Sequence, residues 1–506
     1  MTTPYDLLII GGGINGCGIA RDAAGRGLSV LLVEQDDLAA ATSSWSSKLI
    51  HGGLRYLEQY EFRLVREALQ ERDVLLRIAP HIIHPLEFIL PHDRSMRPAW
   101  MIRLGLFLYD HLGGQISLPG SRGVTFPDPR YSAGLKPDIP RGFFYSDAQV
   151  DDARLTILNA VSARERGATV LTRTRCTAAK RGAEHWSVTL SNTTTGATHE
   201  VQARGVVNAA GPWVKQLLDQ AIHIPSAHAI KLVKGSHIVV PRVHEHPHAY
   251  ILQNDDRRVV FIIPYEDRFS LIGTTDVALT SLEGAERISP EEITYLLRAA
   301  NRFLAQPLSE QDIVWSYAGV RPLYDDGSDN PAEVTRDYVL KVDHHEGQLP
   351  VLSIFGGKIT TYRRLAEHVL QELKPFYPAM SAPWTHTGSL PGGDIKSVTA
   401  CAEELARRAP LLPRDLLEAL IHRYGSRTVQ VLNGAKSLAE LGPTFGVGAH
   451  LLCEREIEFL IRHEWARTAD DILWRRTKCG LHMQPAEREA AAAFIEKKVS
   501  AKKANA

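Results

Sequence analysis

The apolar run Leu7-Leu-Ile-Ile passes into a glycine turn, Gly11-Gly-Gly13-Ile-Asn-Gly16. A helical segment follows, and a second run, Val30-Leu-Leu-Val, ends in Glu34. Apolar runs this short, without polar alternation, read as strands covered on both faces. Residues 58–79 place Phe62, Val65, Leu69, Leu76 and Ile78 at helical spacing among charges, and Pro80 ends that helix. Residues 85–91 predict a short strand bracketed by prolines, and 168–172 and 186–190 alternate like strands. Residues 98–109 are the most apolar helical stretch. It reads as a core helix because it shows no strong polar face; an interfacial helix edged by Arg94, Arg97 and Arg103 is the alternative. Residues from Ser146 onward predict another helix, with Asp151 and Asp152 serving as caps and as local ion partners of Arg154.

Later segments repeat the strand-to-turn theme. Gly205-Val-Val-Asn208-Ala-Ala-Gly211 is an apolar strand ending in small residues, and Lys234 and His237 sit at or within the strand around 231–240. Gly273-Thr-Thr-Asp276 is a polar turn after a strand. Ser353-Ile-Phe-Gly356-Gly357-Lys358-Ile-Thr360-Thr361 leads into a helix over 365–373. The proline-rich stretch 375–391 marks a domain boundary. Helical patterns at 398–408, 413–423, 454–467 and 485–499 follow, with no further glycine motifs. There His463-Glu464 and Arg475-Arg476 read as helix-surface ion pairs, and the lysines after 496 as a solvated tail.

The opening arrangement is that of a dinucleotide site. Gly11 permits the tight turn, Gly13 lets backbone N–H groups approach a pyrophosphate, and Gly16 lets the helix pack on the strand. Glu34 is placed to accept hydrogen bonds from ribose hydroxyls. The hydroxyl- and glycine-rich stretch 41–56, with Thr42, Ser43, Lys48, His51 and Arg55, suits a loop around a phosphorylated ligand.

Composition narrows the partners. Lys plus Arg equals Asp plus Glu, 58 each, so no global field favours nucleic acid. Five scattered cysteines without a CxxC pair suit a reducing, cytosolic setting. No secretion signal or bilayer-spanning run is expected. His244-Glu-His246-Pro-His248 has alternate imidazoles, but a solvated loop is the expectation and no metal site is assigned.

Taken together, Gly11-Gly-Gly-Ile-Asn-Gly16, Ala41-Thr-Ser-Ser44 and Ser47-Lys-Leu-Ile-His-Gly-Gly-Leu-Arg-Tyr56 closely resemble the FAD-dependent glycerol-3-phosphate dehydrogenases, membrane-associated respiratory enzymes of bacteria. The likeness continues through Gly319-Val-Arg321-Pro and Gly356-Gly-Lys-Ile-Thr360 and covers nearly the whole chain.

The resemblance implies an α/β fold: an FAD-binding Rossmann-like domain, an α+β substrate domain and a C-terminal α-helical domain. The oxidoreductase region is expected over 1–388, with FAD segments about 1–80, 150–230 and 325–388 and substrate segments about 81–149 and 231–324; the helical domain spans 389–506. FAD contacts are expected from Gly11, Gly13, Ile14, Asn15, Gly16, Glu34, Thr42, Ser43, Lys48, Leu49, His51, Gly211, Gly357, Lys358 and Thr361. Arg55, Tyr56, Arg321, Arg336 and Lys358 are expected at the substrate, because converging cations suit a phosphate dianion. Catalysis is assigned to Arg321 and Lys358 with His51 and His237 as rival bases. The implied reaction oxidises sn-glycerol 3-phosphate to dihydroxyacetone phosphate and passes electrons to a membrane quinone at the inner face of the cytoplasmic membrane, in a homodimer. An oxygen-using oxidase and a non-catalytic flavin-binding regulatory protein are the alternatives.

Overall fold

The computed structural model describes residues 3–92, 97–114, 118–226, 228–256, 258–325, 337–344 and 348–504. Tyr5–Ile10 lies at the centre of the first sheet, parallel to Val30–Val33 on one side and Thr198–Asn208 on the other. Thr169–Leu171 and Val351–Phe355 extend it in the same sense, and Val339–Asp343 closes one edge antiparallel. Leu7, Leu8 and Ile9 are wholly buried. Both sheet faces are covered, as uninterrupted apolar strands require. On one face pack the helices Ile14–Gly25, Asp152–Glu165 and Tyr362–Leu373, drawn from distant parts of the chain.

A second, mixed sheet of ten strands runs from Val277–Leu279 through Ile230–Pro241, Phe269–Gly273, Val259–Tyr265, Ala249–Gln253, Ile83–His92 and Arg141–Val150 to Leu49–Ile50. Trp315–Tyr324 pairs with Ile230–Pro241 along its whole length. The helices Val398–Arg408, Arg414–Tyr424, Glu454–His463 and Pro485–Ala504 enclose a core of their own.

Several local expectations need correction. Ser146 to Val150 belongs to the strand Arg141–Val150, and the helix begins only at Asp152, with Asp151 accepting from the Arg154 backbone N–H at 3.0 Å. The cap stands, but the ion pairs are not local. Asp152 pairs with Lys48 at 2.8 Å, and Arg154 reaches Glu464 in the C-terminal region. Pro85 and Pro91 lie within the strand Ile83–His92 rather than bracketing it.

The helix Ala99–Leu112 is not a core helix: Leu106 and Tyr109 are buried, whereas Trp100 is 66% exposed and Leu104, Phe107, Met101 and Leu108 also face outward. Even apolarity here reflects one face on the protein and a second apolar face without cover. His244 and His248 are buried and stacked at 4.5 Å, so the histidine stretch is not a solvated loop. Glu464 and Arg476 are buried as well, Arg476 against Asp37, so they are not surface pairs. Lys498, expected in a solvated tail, lies in the last helix and pairs with Glu454 and Glu458. Among the described residues no helix is long and apolar enough to cross a membrane.

Candidate active site

At the carboxyl ends of the central parallel strands, facing the second sheet, lies a cavity of about 870 Å³. Ligands of open α/β sheets bind in this position. Gly11, Gly13, Ile14 and Asn15 form one stretch of wall. Gly11 has φ +117°, and a Cβ there would overlap the Ala209 carbonyl. At Gly16 a Cβ would overlap the Gly11 carbonyl; Gly16 is off the wall and sets the helix-to-strand approach instead.

Glu34 ends its strand on the wall. Its Oε2 accepts from the Gly12 N–H at 2.6 Å and its Oε1 from Asp36 N–H at 2.8 Å. Burial raises its pKa despite those bonds. Ser43 Oγ accepts from Ile14 N–H at 2.9 Å, and Thr42 Oγ1 donates to the Val320 carbonyl at 2.6 Å, tying this loop to the glycine turn and to the second sheet. Leu49, His51, Tyr56, Gly211, Gly357 and Lys358 also line the cavity.

Lys48 does not. Its ammonium is buried against Asp152 and the Ser44 carbonyl, at 2.8 and 3.0 Å, because Asp152 would otherwise be an unpaired buried charge. Lys48 therefore shapes the loop from beneath. Thr361 is likewise buried off the wall, which its neighbour Thr360 lines. Arg336 lies outside the described residues, as do Arg94 and the Arg55 side chain.

The cavity fits a flavin dinucleotide. The glycine turn opens backbone N–H groups at a helix start, Gly357 has φ +109°, and a Cβ there would crowd Asn15 Nδ2 at 2.7 Å. Asn15 Oδ1 is buried beside this cradle with no hydrogen-bond partner. The volume falls in the range of cofactor pockets, about 300–1,000 Å³.

The other end is chemical. Arg321 Nη2 donates to Thr274 Oγ1 at 3.0 Å, and Nη1 pairs with Asp276. His237 Nε2 lies 2.9 Å from Ser47 Oγ, and its ring stacks on Tyr317 with centroids 4.8 Å apart. Burial, with the charges of Arg321 and Lys48, holds this imidazole well below its ordinary range. Burial, with Lys358 nearby, lowers His51 to about 4. Both rings are therefore neutral at pH 7. Lys358 Nζ sits 3.8 Å over the Tyr56 ring.

Ser47, Thr274, Asp276 and Tyr317 were not among the expected site residues. The available signal was glycine within strands, which marks close approach. A Cβ at Gly235 would overlap Arg321, one at Gly273 would overlap His237, and one at Gly319 would lie 2.7 Å from Trp45 Cβ.

Residues 6–363 match the family described as FAD-dependent oxidoreductase, and residues 383–500 match the C-terminal domain of alpha-glycerophosphate oxidase. The chain is similar to aerobic glycerol-3-phosphate dehydrogenase of Escherichia coli strain K12, at 55% identity covering 94% of each chain. It is 51% identical to D-erythritol 1-phosphate dehydrogenase of Brucella abortus, covering 97% of each. Among solved structures, glycerol-3-phosphate dehydrogenase of Bacillus halodurans complexed with FAD superposes with a TM-score of 0.74 at 26% identity, covering 98% of this chain and 91% of that one.

Proposed function

Since the chain belongs to the FAD-dependent oxidoreductase family, and within it to the glycerol-3-phosphate dehydrogenases, we propose that it delivers the electrons of its substrate to a membrane quinone. It is an FAD-dependent enzyme that oxidises sn-glycerol 3-phosphate to dihydroxyacetone phosphate. The observation that carries this reading is 55% identity spread over 94% of the chain. A dinucleotide-sized cavity that ends at Arg321 and His237 supports it. In this reading residues 1–388 form the oxidoreductase region, with 1–80, 150–230 and 325–388 holding flavin and 81–149 and 231–324 holding substrate; 389–506 is the helical domain.

When bound, FAD supplies the acceptor for the hydride that leaves C2 of the substrate. The remaining work falls to the chain. The glycine turn at Gly11 and Gly13 receives the pyrophosphate, Glu34 the ribose, and Asn15, Gly211 and Gly357 fix the cofactor's course. Arg321 has five N–H donors, and Thr274 and Asp276 brace its plane through only some of them. The rest bind substrate phosphate or the oxygen at C2, with Lys358 as the second cation. His237 Nε2 takes the C2 hydroxyl proton. It is neutral, already lies at hydrogen-bond distance from a hydroxyl on the cavity wall, and shares its strand with Gly235, against which Arg321 packs. A phosphate dianion beside Arg321 offsets the cationic field and raises the imidazole toward a useful basicity. His51, beside Lys358, orders the wall between cofactor and substrate.

The outward apolar face of Ala99–Leu112 supports peripheral attachment to a membrane surface at the cytoplasmic side, where quinone is found. A homodimer completes the reading, to be measured by sedimentation. The deciding experiment is anaerobic addition of glycerol 3-phosphate to the yellow protein, followed by a quinone analogue or by oxygen. Bleaching followed by fast reoxidation with quinone and little peroxide is expected. Fast peroxide release would make it an oxidase, absence of bleaching would remove catalysis, and higher kcat/KM on D-erythritol 1-phosphate would reassign the substrate.

A further inference from the structure

The strands Val259–Tyr265 and Phe269–Gly273 form a hairpin whose Gly273 end meets His237 in the cavity. Its turn, at the opposite end, carries Glu266 and Asp267 to the C-terminal region. There Glu266, His450 and His482 each offer one ligand atom, and these atoms lie within 4.8 Å of one another. The two imidazoles stack with centroids 3.3 Å apart and planes within 5°. His482 Nε2 is 3.9 Å from Glu266 Oε2, and His450 Nε2 is 3.7 Å from Asp267 Oδ2. Both separations exceed a hydrogen bond.

His482 is the unusual member. Its side chain is 3% exposed, and neither ring nitrogen has a hydrogen-bond partner. Phe269 packs on it at 5.3 Å. Buried imidazole nitrogens left unpaired are costly. Two imidazole nitrogens and a carboxylate are the donor set of zinc-class cations rather than of magnesium or calcium. With metal–ligand bonds near 2.0–2.2 Å, tetrahedral donors lie roughly 3.3 Å apart and each imidazole holds a metal in its own plane, so the two stacked rings turn out of their parallel arrangement as the three donors, already within 4.8 Å, close on an ion.

We propose that Glu266, His450 and His482 form a site for a divalent transition cation of the zinc class, with Asp267 or a water as fourth ligand, that fastens the hairpin turn of the second sheet to the C-terminal region. The site is independent of the flavin cavity. Binding involves no redox change.

The test uses full-length, flavin-loaded protein, treated with chelator and dialysed against micromolar zinc or, in parallel, magnesium, with metal counted by mass spectrometry. One zinc and no magnesium per chain is expected, together with a zinc-dependent rise in the thermal midpoint. His450→Gln, Glu266→Gln and His482→Gln should each lose at least tenfold in zinc affinity while flavin content and turnover persist. His482 is buried, so the more exposed His450→Gln is the decisive variant, and Glu266→Gln decides in its place if the zinc-free midpoint of His450→Gln differs from the parent's. His246→Asn should leave zinc binding unchanged. The proposal is overturned if the parent retains no zinc, if His450→Gln binds as the parent does, or if only His246→Asn loses the metal.

Discussion

Arg321 and His237 occupy space that two neighbouring glycines, Gly235 and Gly273, leave by having no side chain. Gly273→Ala drives a methyl into the His237 ring, and Gly235→Ala into the guanidinium. We expect Gly273→Ala to lower kcat at least tenfold while flavin absorbance is retained; normal turnover would show that the imidazole has slack. Arg321→Ala removes charge-assisted bonds worth about 2–3 kcal/mol, so kcat/KM should fall roughly a hundredfold. Loss of flavin in that variant would instead place the arginine at the cofactor.

Asp147, under the Gly52 backbone, predicts a pH effect. Tyr109 donates to it at 2.7 and 2.8 Å and Arg72 at 3.0 Å, yet burial raises its carboxyl to about 6. A folded pKa above the unfolded value means that this carboxyl's contribution to stability is fully present below about 4 and is lost as pH rises through about 6. Asp147→Asn should flatten that part of the stability curve in urea titrations between pH 4 and 7. At this scale the sequence was informative for backbone and less so for charge. Gly11, Gly13 and Gly357 follow from turn geometry, whereas Lys48 was misplaced because its partner, Asp152, lies 104 positions away.

For whole elements, period distinguishes helix from strand but does not report what lies opposite. Tyr5–Ile10, Val30–Val33 and Val398–Arg408 were legible from pattern alone. Ala99–Leu112 was legible as a helix, but not as one with an uncovered apolar face, because lipid and protein interior select the same residues. Leu104→Glu with Phe107→Glu should reduce recovery with vesicles at least tenfold and leave the thermal midpoint unchanged. Undiminished recovery by a folded variant would detach this helix from the membrane. The strand Arg141–Val150 was read in part as helix because acids at 151–152 signal a helix start without fixing which residue begins it.

The C-terminal helices are joined to the first sheet by buried ions. Arg476 pairs with Asp37, Arg154 with Glu464, and Arg173 with Asp471 at 2.9 Å. None of this was visible in sequence, since each pair spans hundreds of residues and composition shows only balanced charge. Removing one partner of a fully buried pair costs about 3–5 kcal/mol, whereas replacing both with apolar residues costs far less. Arg476→Met should therefore lower the unfolding midpoint clearly, and Asp37→Leu combined with Arg476→Met should recover most of it; additive losses would mean that the pair is not a unit.

Asp37 follows Glu34 by three residues, and the backbone N–H of Ala39 bonds back to the Gly12 carbonyl at 3.0 Å. One short loop therefore touches both the Glu34 end of the cavity and an arginine that anchors the C-terminal region. If bound flavin orders this loop, the C-terminal region should fray first in flavin-free protein. Limited proteolysis should cut the apo chain in the C-terminal region well before the yellow form, and equal cutting of the two would uncouple cofactor occupancy from the anchoring of that region.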